Sequence, residues 1–585
     1  MTDPMGTGFP PQTLSLMRRH AAVVILALAV GTVSVFPQVF FALTAPEYAG
    51  VSMFGSDGEE SYLARIQEVS DGYPRLGNVF LPEKDQPALI LGLGEIISAW
   101  IGKSLGLGTA EFNIFAKFLF PFAITLCFYA LALGLFSSRF AALLGAAIAM
   151  LGYNLTGGLS HILGLLTFET PITEFLLYSR PINPEISSLF LMGVLGLFVW
   201  NFLRRSEPSS WMTAALGVGA GLTIYLSIFA WSFLFALFGL YFVWSVAQRS
   251  YGRGRHIVGI ACLGLLASLP FWYNYADLVT HPNYLETALR IGLVEGRAPV
   301  VSVWVLIMLG LALFAWPRKH HNSRPFFIIA ALALLALSNQ QVITGMLLQV
   351  SHYHWYITLP LVSLILGMYA TAILDMLPVA RPYRPPLLIV ALLVLLHNAA
   401  IVQVNSYVAQ YPRAVMSQSY APVLDYLRAL PAAESIFTDP NLSLYIPVYT
   451  RHDAPNNEYA PLYLGSDDYF ITRLLLSYKL AGVHPDRILE RMKSERAGIA
   501  QRVYIIYYRE KFGSYASIPD EILEDMAIRY TDVWRIPYAD IFERLGVTAV
   551  IWDKGAFPSA PYESISSLTP LADIGERFTL YRVSS

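Results

Sequence analysis

The chain has 585 residues, 55% of them hydrophobic and only 14% charged, with a formal net charge of -2. Charge is concentrated at one end: residues 411–585 hold half of all Asp, Glu, Lys and Arg. That composition excludes a single soluble domain and a disordered chain, and the near-neutral charge leaves no basic footprint for nucleic acid. It predicts a polytopic α-helical membrane protein with a C-terminal α/β domain.

Apolar stretches of spanning length fall near 21–43, 112–136, 140–157, 184–203, 210–228, 229–247, 256–274, 299–316, 325–340, 356–375 and 386–404. They predict about eleven transmembrane helices. The first is too long for a signal-peptide core. The organisation expected is therefore an N-terminal segment 1–20, a membrane domain 21–410 with a long loop 44–111, and a C-terminal domain 411–585. Short loops on one side collect thirteen Lys and Arg, among them Arg18, Arg139, Arg204, Arg255, Lys319 and Arg381, against Asp3, Glu207 and Asp375. The loops at 44–111, 158–183, 275–298 and 339–355 hold most of the acids of the membrane half. The positive-inside rule then puts the N-terminus in the cytoplasm, and an odd span count puts the C-terminal domain outside. The chain looks bacterial, so the expected location is the inner (cytoplasmic) membrane.

Cys127 and Cys262 lie in apolar runs, where packing is the ordinary reading. Asn154 fits a glycosylation triplet but sits at a span end. No phosphate-binding loop, dinucleotide fingerprint, zinc spacing or nucleophile elbow occurs.

The loop 44–111 opens with Gly55-Ser56-Asp57-Gly58-Glu59-Glu60-Ser61-Tyr62-Leu63-Ala64-Arg65. Ser56 and Glu59 have capping-box spacing, which predicts a helix running to about Ser70. Tyr62, Ile66 and Val69 form one stripe, as in a helix lying on the membrane surface. Asp57 and Glu60 fall near its N-terminus, where the helix dipole favours the ionised form. Such a carboxylate can accept a proton from an attacking hydroxyl or share a divalent metal (Mg or Mn). A plain capped surface helix would carry the same acids.

A span followed by a long loop with an acidic cluster and a Tyr-x-x-Arg helix resembles the GT-C superfamily of membrane glycosyltransferases. These include the protein mannosyltransferase and aminoarabinose transferase groups. The resemblance implies a polyprenyl-phosphate-linked sugar as donor, a glycan, lipid or protein acceptor, and contact with membrane lipid. It also implies a catalytic acid: Asp57 matches best, with Glu59 and Glu60 as the second carboxylate, and with Asp57 and Glu60 as metal ligands where a metal is used. Here Gly58 interrupts the adjacent acid pair of the family.

Three further loop clusters join the expected site. Arg180, in Tyr178-Ser179-Arg180-Pro181-Ile182-Asn183-Pro184-Glu185, can grip a phosphate through its planar fork, or snorkel at the interface. Arg290 and Arg297, seven apart, share a face if one helix carries both. They complete the expected phosphate grip, although Glu286 and Arg290 also have ordinary i,i+4 pairing. In the loop 339–355, Gln340, Gln341 and Trp355, with Tyr62, read as sugar- or acceptor-binding residues. His352 and His354 read as phosphate contacts and, two apart, not as a metal pair. Trp and Tyr also gather at any membrane interface.

The reading is an inverting glycosyltransferase acting at the outer face. Its alternatives are a non-catalytic envelope scaffold and a transporter or lipid flippase. In the C-terminal domain, helical patterns near 419–430, 469–480, 485–499, 518–530 and 538–545 alternate with strand-like runs at 435–438, 444–449, 503–508, 549–552 and 579–583. Asp439, His452, Asp453 and Asp553 follow such runs, as cleft residues or as ordinary loop acids.

Overall fold

A computed structural model describes residues 11–377, 382–558 and 560–584, with side chains from His20 onward. Residues 1–10 of the expected N-terminal segment, Asp3 among them, and Arg381 lie outside the described residues, as do the side chains of Arg18 and Arg19. The chain is a polytopic helical membrane protein. Among the described residues, seven helices are long and apolar enough to cross a membrane, or eight if the pair Tyr251–Ala267 and Leu269–Thr280, bent by 51°, counts as one span. Helices overlie all eleven expected stretches, yet several are too short to qualify. Arg139–Leu151 and Val303–Phe314 are apolar but only 13 and 12 residues long.

Four elements carry the first part of the fold: α1 (Pro11–Thr44), α2 (Glu59–Ser70), α3 (Leu93–Leu105) and α4 (Thr109–Phe136). α1 packs along α4, and the Ala-rich helix Arg139–Leu151 packs against Leu359–Met376. The last two approach closely because both are small where they cross. A Cβ on Gly367 would stand 2.4 Å from the Gly145 nitrogen. Membrane helices associate through such small-residue contacts, since lipid provides no hydrophobic drive between them. Asn154 is buried, and its side chain exchanges hydrogen bonds with Asn398 (3.1 and 2.8 Å), so the glycosylation triplet is part of the packing. Both cysteines are free; Cys127 is half-buried, whereas Cys262 is exposed on its helix rather than packed in a core.

The helix expected on the membrane surface is α2, and it departs from that placement. Eight of its twelve residues are buried, among them Leu63, Ile66, Arg65 and Glu68. It is clamped between α3, α4 and a C-terminal helix, Pro440–Tyr449. The stripe that would have faced lipid therefore faces protein. Half of the expected capping box forms: the Glu59 carboxylate accepts from the Ser56 backbone N–H at 3.0 Å. The N-cap itself is Gly58, at φ 67°, a left-handed turn that glycine makes without strain.

The C-terminal region holds a four-stranded sheet of order β3-β4-β6-β5, namely Ile436–Phe437, Ala549–Asp553, Phe578–Val583 and Leu568–Ile574. β3 and β4 are parallel, and the other pairs are antiparallel. A separate two-stranded ribbon joins β1 (Val294–Glu295) to β2 (Met346–Leu347). Two expected strands are helical. Residues 444–449 lie in Pro440–Tyr449, started by Asp439, whose carboxylate accepts from the N–H groups of Asn441 and Leu442. Residues 503–508 straddle two short helices broken at Ile505. The Asp and His residues read as cleft candidates are mostly spent within the fold. Asp553 holds Arg577 at 2.6 and 2.7 Å, and His452 contacts the Leu427 carbonyl at 2.8 Å.

The C-terminal region is fastened to the loop 45–108 through Lys84, which contacts Asp453 at 2.5 Å and Glu68 at 3.0 Å. Burial raises the Glu68 pKa to about 7; Lys84 offsets this only in part, since it lies closer to Asp453. The folded protein thus keeps a proton on Glu68 up to about pH 7, where the unfolded chain releases it near 4.5. The stabilisation is complete below the unfolded value and lost as pH rises through the folded one. Between pH 5 and 8 the unfolding midpoint should therefore drop further in the wild type than in Glu68→Gln, a difference worth up to about 3 kcal/mol. Parallel curves for the two proteins would refute it.

Candidate functional site

Where the helix ends, the loops and the C-terminal region meet, they enclose a cavity of about 1330 Å³. Of the residues singled out by sequence, Asp57, Tyr62, Arg180, Gln340, His352 and Trp355 line it. They come from three separate loops, so the fold assembles what the chain disperses.

Asp57 sits in the turn before α2 with its side chain 70% exposed, and the Arg180 guanidinium stands 3.7 Å from its carboxylate. Arg180 is held from the other side: its Nη2 donates to the Tyr62 hydroxyl at 3.0 Å, and its guanidinium lies over the Tyr62 ring. The Arg65 guanidinium also lies over that ring, 4.4 Å from its centroid, and is paired with buried Glu95 at 3.0 Å. Arg180 Nε is buried and makes no hydrogen bond. One donor of the fork is thus left over, which buried polar groups rarely tolerate unless something else takes it.

His352 faces the same space. Its ring is stacked on Phe229, with centroids 4.5 Å apart and planes 5° off parallel, and its Nδ1 is buried without a hydrogen-bond partner. The ring is presented just before a π-helical turn, His354–Thr358, a local widening that recurs at functional sites. Trp355 and Gln340 complete this side; the Gln340 amide donates to the Met346 carbonyl at 2.7 Å.

Other expected site residues lie elsewhere, each for a physical reason. Glu59 is fully buried and accepts from Lys117, Asn113, Gly55 and Ser56. Burial works against its ionisation, but the Lys117 ammonium and these donors hold the carboxyl below the usual glutamate range. Glu60 is also buried, paired with Arg413 at 2.5 Å, and burial pushes its pKa up. Neither carboxylate faces the cavity. Arg290 and Arg297 do not share a helix: the helix Tyr284–Arg290 ends there, and Gly292 turns the chain at φ +90°. Arg290 is buried against Asp467 and C-terminal carbonyls, and Arg297 donates to the carbonyls of Val342 and Ile343. Both arginines are consumed outside the cavity. Gln341 donates to the Ala298 carbonyl, and His354 packs edge-on to Trp355 without reaching the lining.

A metal shared by Asp57 and Glu60 does not fit this arrangement. Glu60 is committed to Arg413, Arg180 stands beside Asp57, and among the described residues no group of three His, Cys, Asp or Glu is placed to hold an ion.

Several lining residues escaped the sequence reading, among them Glu174, Glu458 and Arg509. Glu174 lies near Asp57; burial, then the Asp57 charge, raises its pKa. Glu458 and Arg509 come from the C-terminal region, so that region forms one wall of the cavity. Burial raises the Glu458 carboxyl, with Arg413 partly offsetting it. Arg509 contacts Glu510 at 3.0 Å. The lining also carries an aromatic group, Tyr225, Phe271, Tyr275 and Tyr284, with the Phe271 and Tyr275 rings stacked.

Fold and site together define a multi-pass membrane protein whose C-terminal region closes a largely apolar cavity, with charged groups set into its wall, over the membrane helices. No family model matches the chain, and no curated protein sequence matches it. Among solved structures it is similar to ArnT from Cupriavidus metallidurans, both bound to undecaprenyl phosphate and in the apo state. Each is 12% identical and covered over 97% of this chain and 98% of the other, with TM-scores of 0.43 and 0.44. A likeness at that level assigns neither an activity nor a residue role.

Proposed function

We propose that the chain is a membrane glycosyltransferase that moves a sugar from a polyprenyl-phosphate carrier to an acceptor hydroxyl. The observation that carries this reading is the juxtaposition of an accessible carboxylate, Asp57, with a guanidinium that has a spare donor, Arg180, in one cavity walled by aromatic rings. A glycosyl phosphate needs those two functions a short distance apart. Asp57 takes the proton as the acceptor oxygen attacks the anomeric carbon. The carbon–oxygen bond to phosphate breaks, and its electron pair leaves with the phosphate. Arg180 and His352 meet the developing negative charge, with Arg509 at the C-terminal wall. A single displacement inverts the anomeric configuration. Trp355, Gln340 and Tyr62 suit a sugar, by ring stacking and hydrogen bonds. The loop charges orient the chain with the N-terminus in the cytoplasm and this site at the outer leaflet of a bacterial inner membrane.

The test is titration of the purified protein with undecaprenyl phosphate and with polyprenyl-phosphate sugars. Saturable binding is expected, weakened about 10- to 100-fold in Arg180→Leu, as suits loss of charge-assisted hydrogen bonds worth roughly 1.5–3 kcal/mol. Absence of binding to every carrier would refute the reading.

A further inference from the structure

We propose that the buried Glu59–Lys117 pair is a positioning device that sets the spacing between Asp57 and Arg180. Only the purpose of that spacing rests on the glycosyltransferase reading.

The contact between Asp57 and Arg180 cannot set the distance by itself. It measures 3.7 Å, longer than a hydrogen bond, and Asp57 is largely exposed. Exposed pairs of that kind contribute little. The order must come from beneath. There, the Glu59 carboxylate accepts from the backbone N–H groups of Gly55 (3.1 Å) and Ser56 (3.0 Å) through one oxygen. Its other oxygen accepts from Lys117 Nζ and Asn113 Nδ2, both at 2.8 Å. Lys117 Nζ also donates to the Ser179 carbonyl at 2.7 Å. Ser56 immediately precedes Asp57, and Ser179 immediately precedes Arg180. The two functional side chains thus emerge one residue beyond the two ends of a single buried bridge.

The bridge is stiff for two reasons. Both charged side chains are 0% exposed, so water cannot replace a lost contact and each partner must be kept. The loop is also pinned sterically, since a Cβ on Gly55 would stand 2.6 Å from the Phe175 ring and 2.8 Å from Gln410. Glu185, at the start of the helix Glu185–Phe202, is the second carboxyl close to Lys117. A lysine buried at the head of a span is costly unless it has a role, and holding two loops in register is one.

The experiment has two arms. In the first, Glu59→Gln and Lys117→Met are compared with the wild type for turnover per folded molecule and for affinity toward undecaprenyl phosphate. The expected result is a kcat lower by on the order of 100-fold with affinity nearly unchanged, because each group survives but their alignment is lost. The second arm needs no substrate. Asp57→Cys and Arg180→Cys are introduced together, with Cys127 and Cys262 replaced by Ser, and treated with a short bismaleimide. Adding Glu59→Gln should slow crosslinking about tenfold or more, as the effective concentration of one thiol at the other falls. Unchanged crosslinking, or kcat and affinity lost only in step with folded protein, would overturn the proposal. A wild type inactive on every carrier, with crosslinking still slowed by Glu59→Gln, would remove the transferase reading and leave the positioning role standing.

Discussion

Asp57→Asn is expected to lower turnover by about 10²- to 10⁴-fold, the range a general base commands, while leaving undecaprenyl phosphate affinity and folding close to wild type. The split follows from placement. Asp57 is mostly exposed, and the ion pair its carboxylate makes with Arg180 is loose, at 3.7 Å. Removing its charge therefore disturbs no buried network. Arg180 keeps its hydrogen bond to Tyr62 and its place over that ring. The acceptor hydroxyl then loses its proton acceptor, while the phosphate keeps its partners. Single-turnover kinetics with a labelled donor, beside a phosphate-binding titration, separates the two effects. Equal loss of binding and turnover would mean that Asp57 supports the cavity rather than the chemistry. Retained turnover would shift the base to another acid of the lining, such as Glu174, which lies close enough to feel the Asp57 charge. A scaffold, in contrast, would be indifferent to the substitution.

The local chemistry of this site is legible in the chain to a large extent, because it depends on residue type at loop positions. An acid before a helix, an Arg just ahead of two prolines, and Gln and Trp at a span mouth each announce a polar function in an apolar protein. What the chain does not show is which of these groups remain free after folding. Glu59 and Asp57 are two residues apart and look alike, yet one is buried on Lys117 and the other opens to the cavity. The difference is made by α4, which brings Lys117 and Asn113 from over fifty positions away. Long-range burial likewise removes Arg290 and Glu60, whose partners Asp467 and Arg413 lie 177 and 353 residues further on.

The fold shows the same division. Apolar length marks the helices, but it does not separate a full span from the short helices Arg139–Leu151, which is largely buried, and Val303–Phe314, which is largely exposed, since both are apolar. In the C-terminal region the run Leu444–Tyr449 is rich in strand-forming residues. The start signal just upstream, Asp439 followed by Pro440, outweighs that preference by capping a helix. Periodicity was the weaker cue there, and the cap was the stronger one. Glu458 and Arg509 are hidden in the sequence for a different reason: they lie in the C-terminal region, and its docking through Lys84, Arg290 and Arg413 brings them to the cavity.

Arg290→Met is expected to destabilise the protein by about 3–5 kcal/mol, the cost of removing one partner from a buried ionic network. Arg290 is 1% exposed. Its guanidinium donates to Asp467 at 2.5 Å, to the Thr287 hydroxyl at 2.8 Å, and to the carbonyls of Pro461, Tyr463 and Gly465 at 3.0, 3.3 and 2.7 Å. Methionine fills similar volume but offers none of these donors, so three carbonyls and a carboxylate lose their partner at once. The carbonyls belong to the segment that continues from Glu458 and Tyr459 in the cavity wall, so this segment should loosen first, seen as faster amide exchange over 458–467. Per folded molecule, affinity for undecaprenyl phosphate should stay at the wild-type value, opposite to the expectation for Arg180→Leu. Adding Asp467→Asn should cost less than the two single changes summed, because the carboxylate has already lost its cation. A variant of full stability that binds phosphate weakly would instead restore Arg290 to the phosphate site, and would require the C-terminal segment to swing away from it.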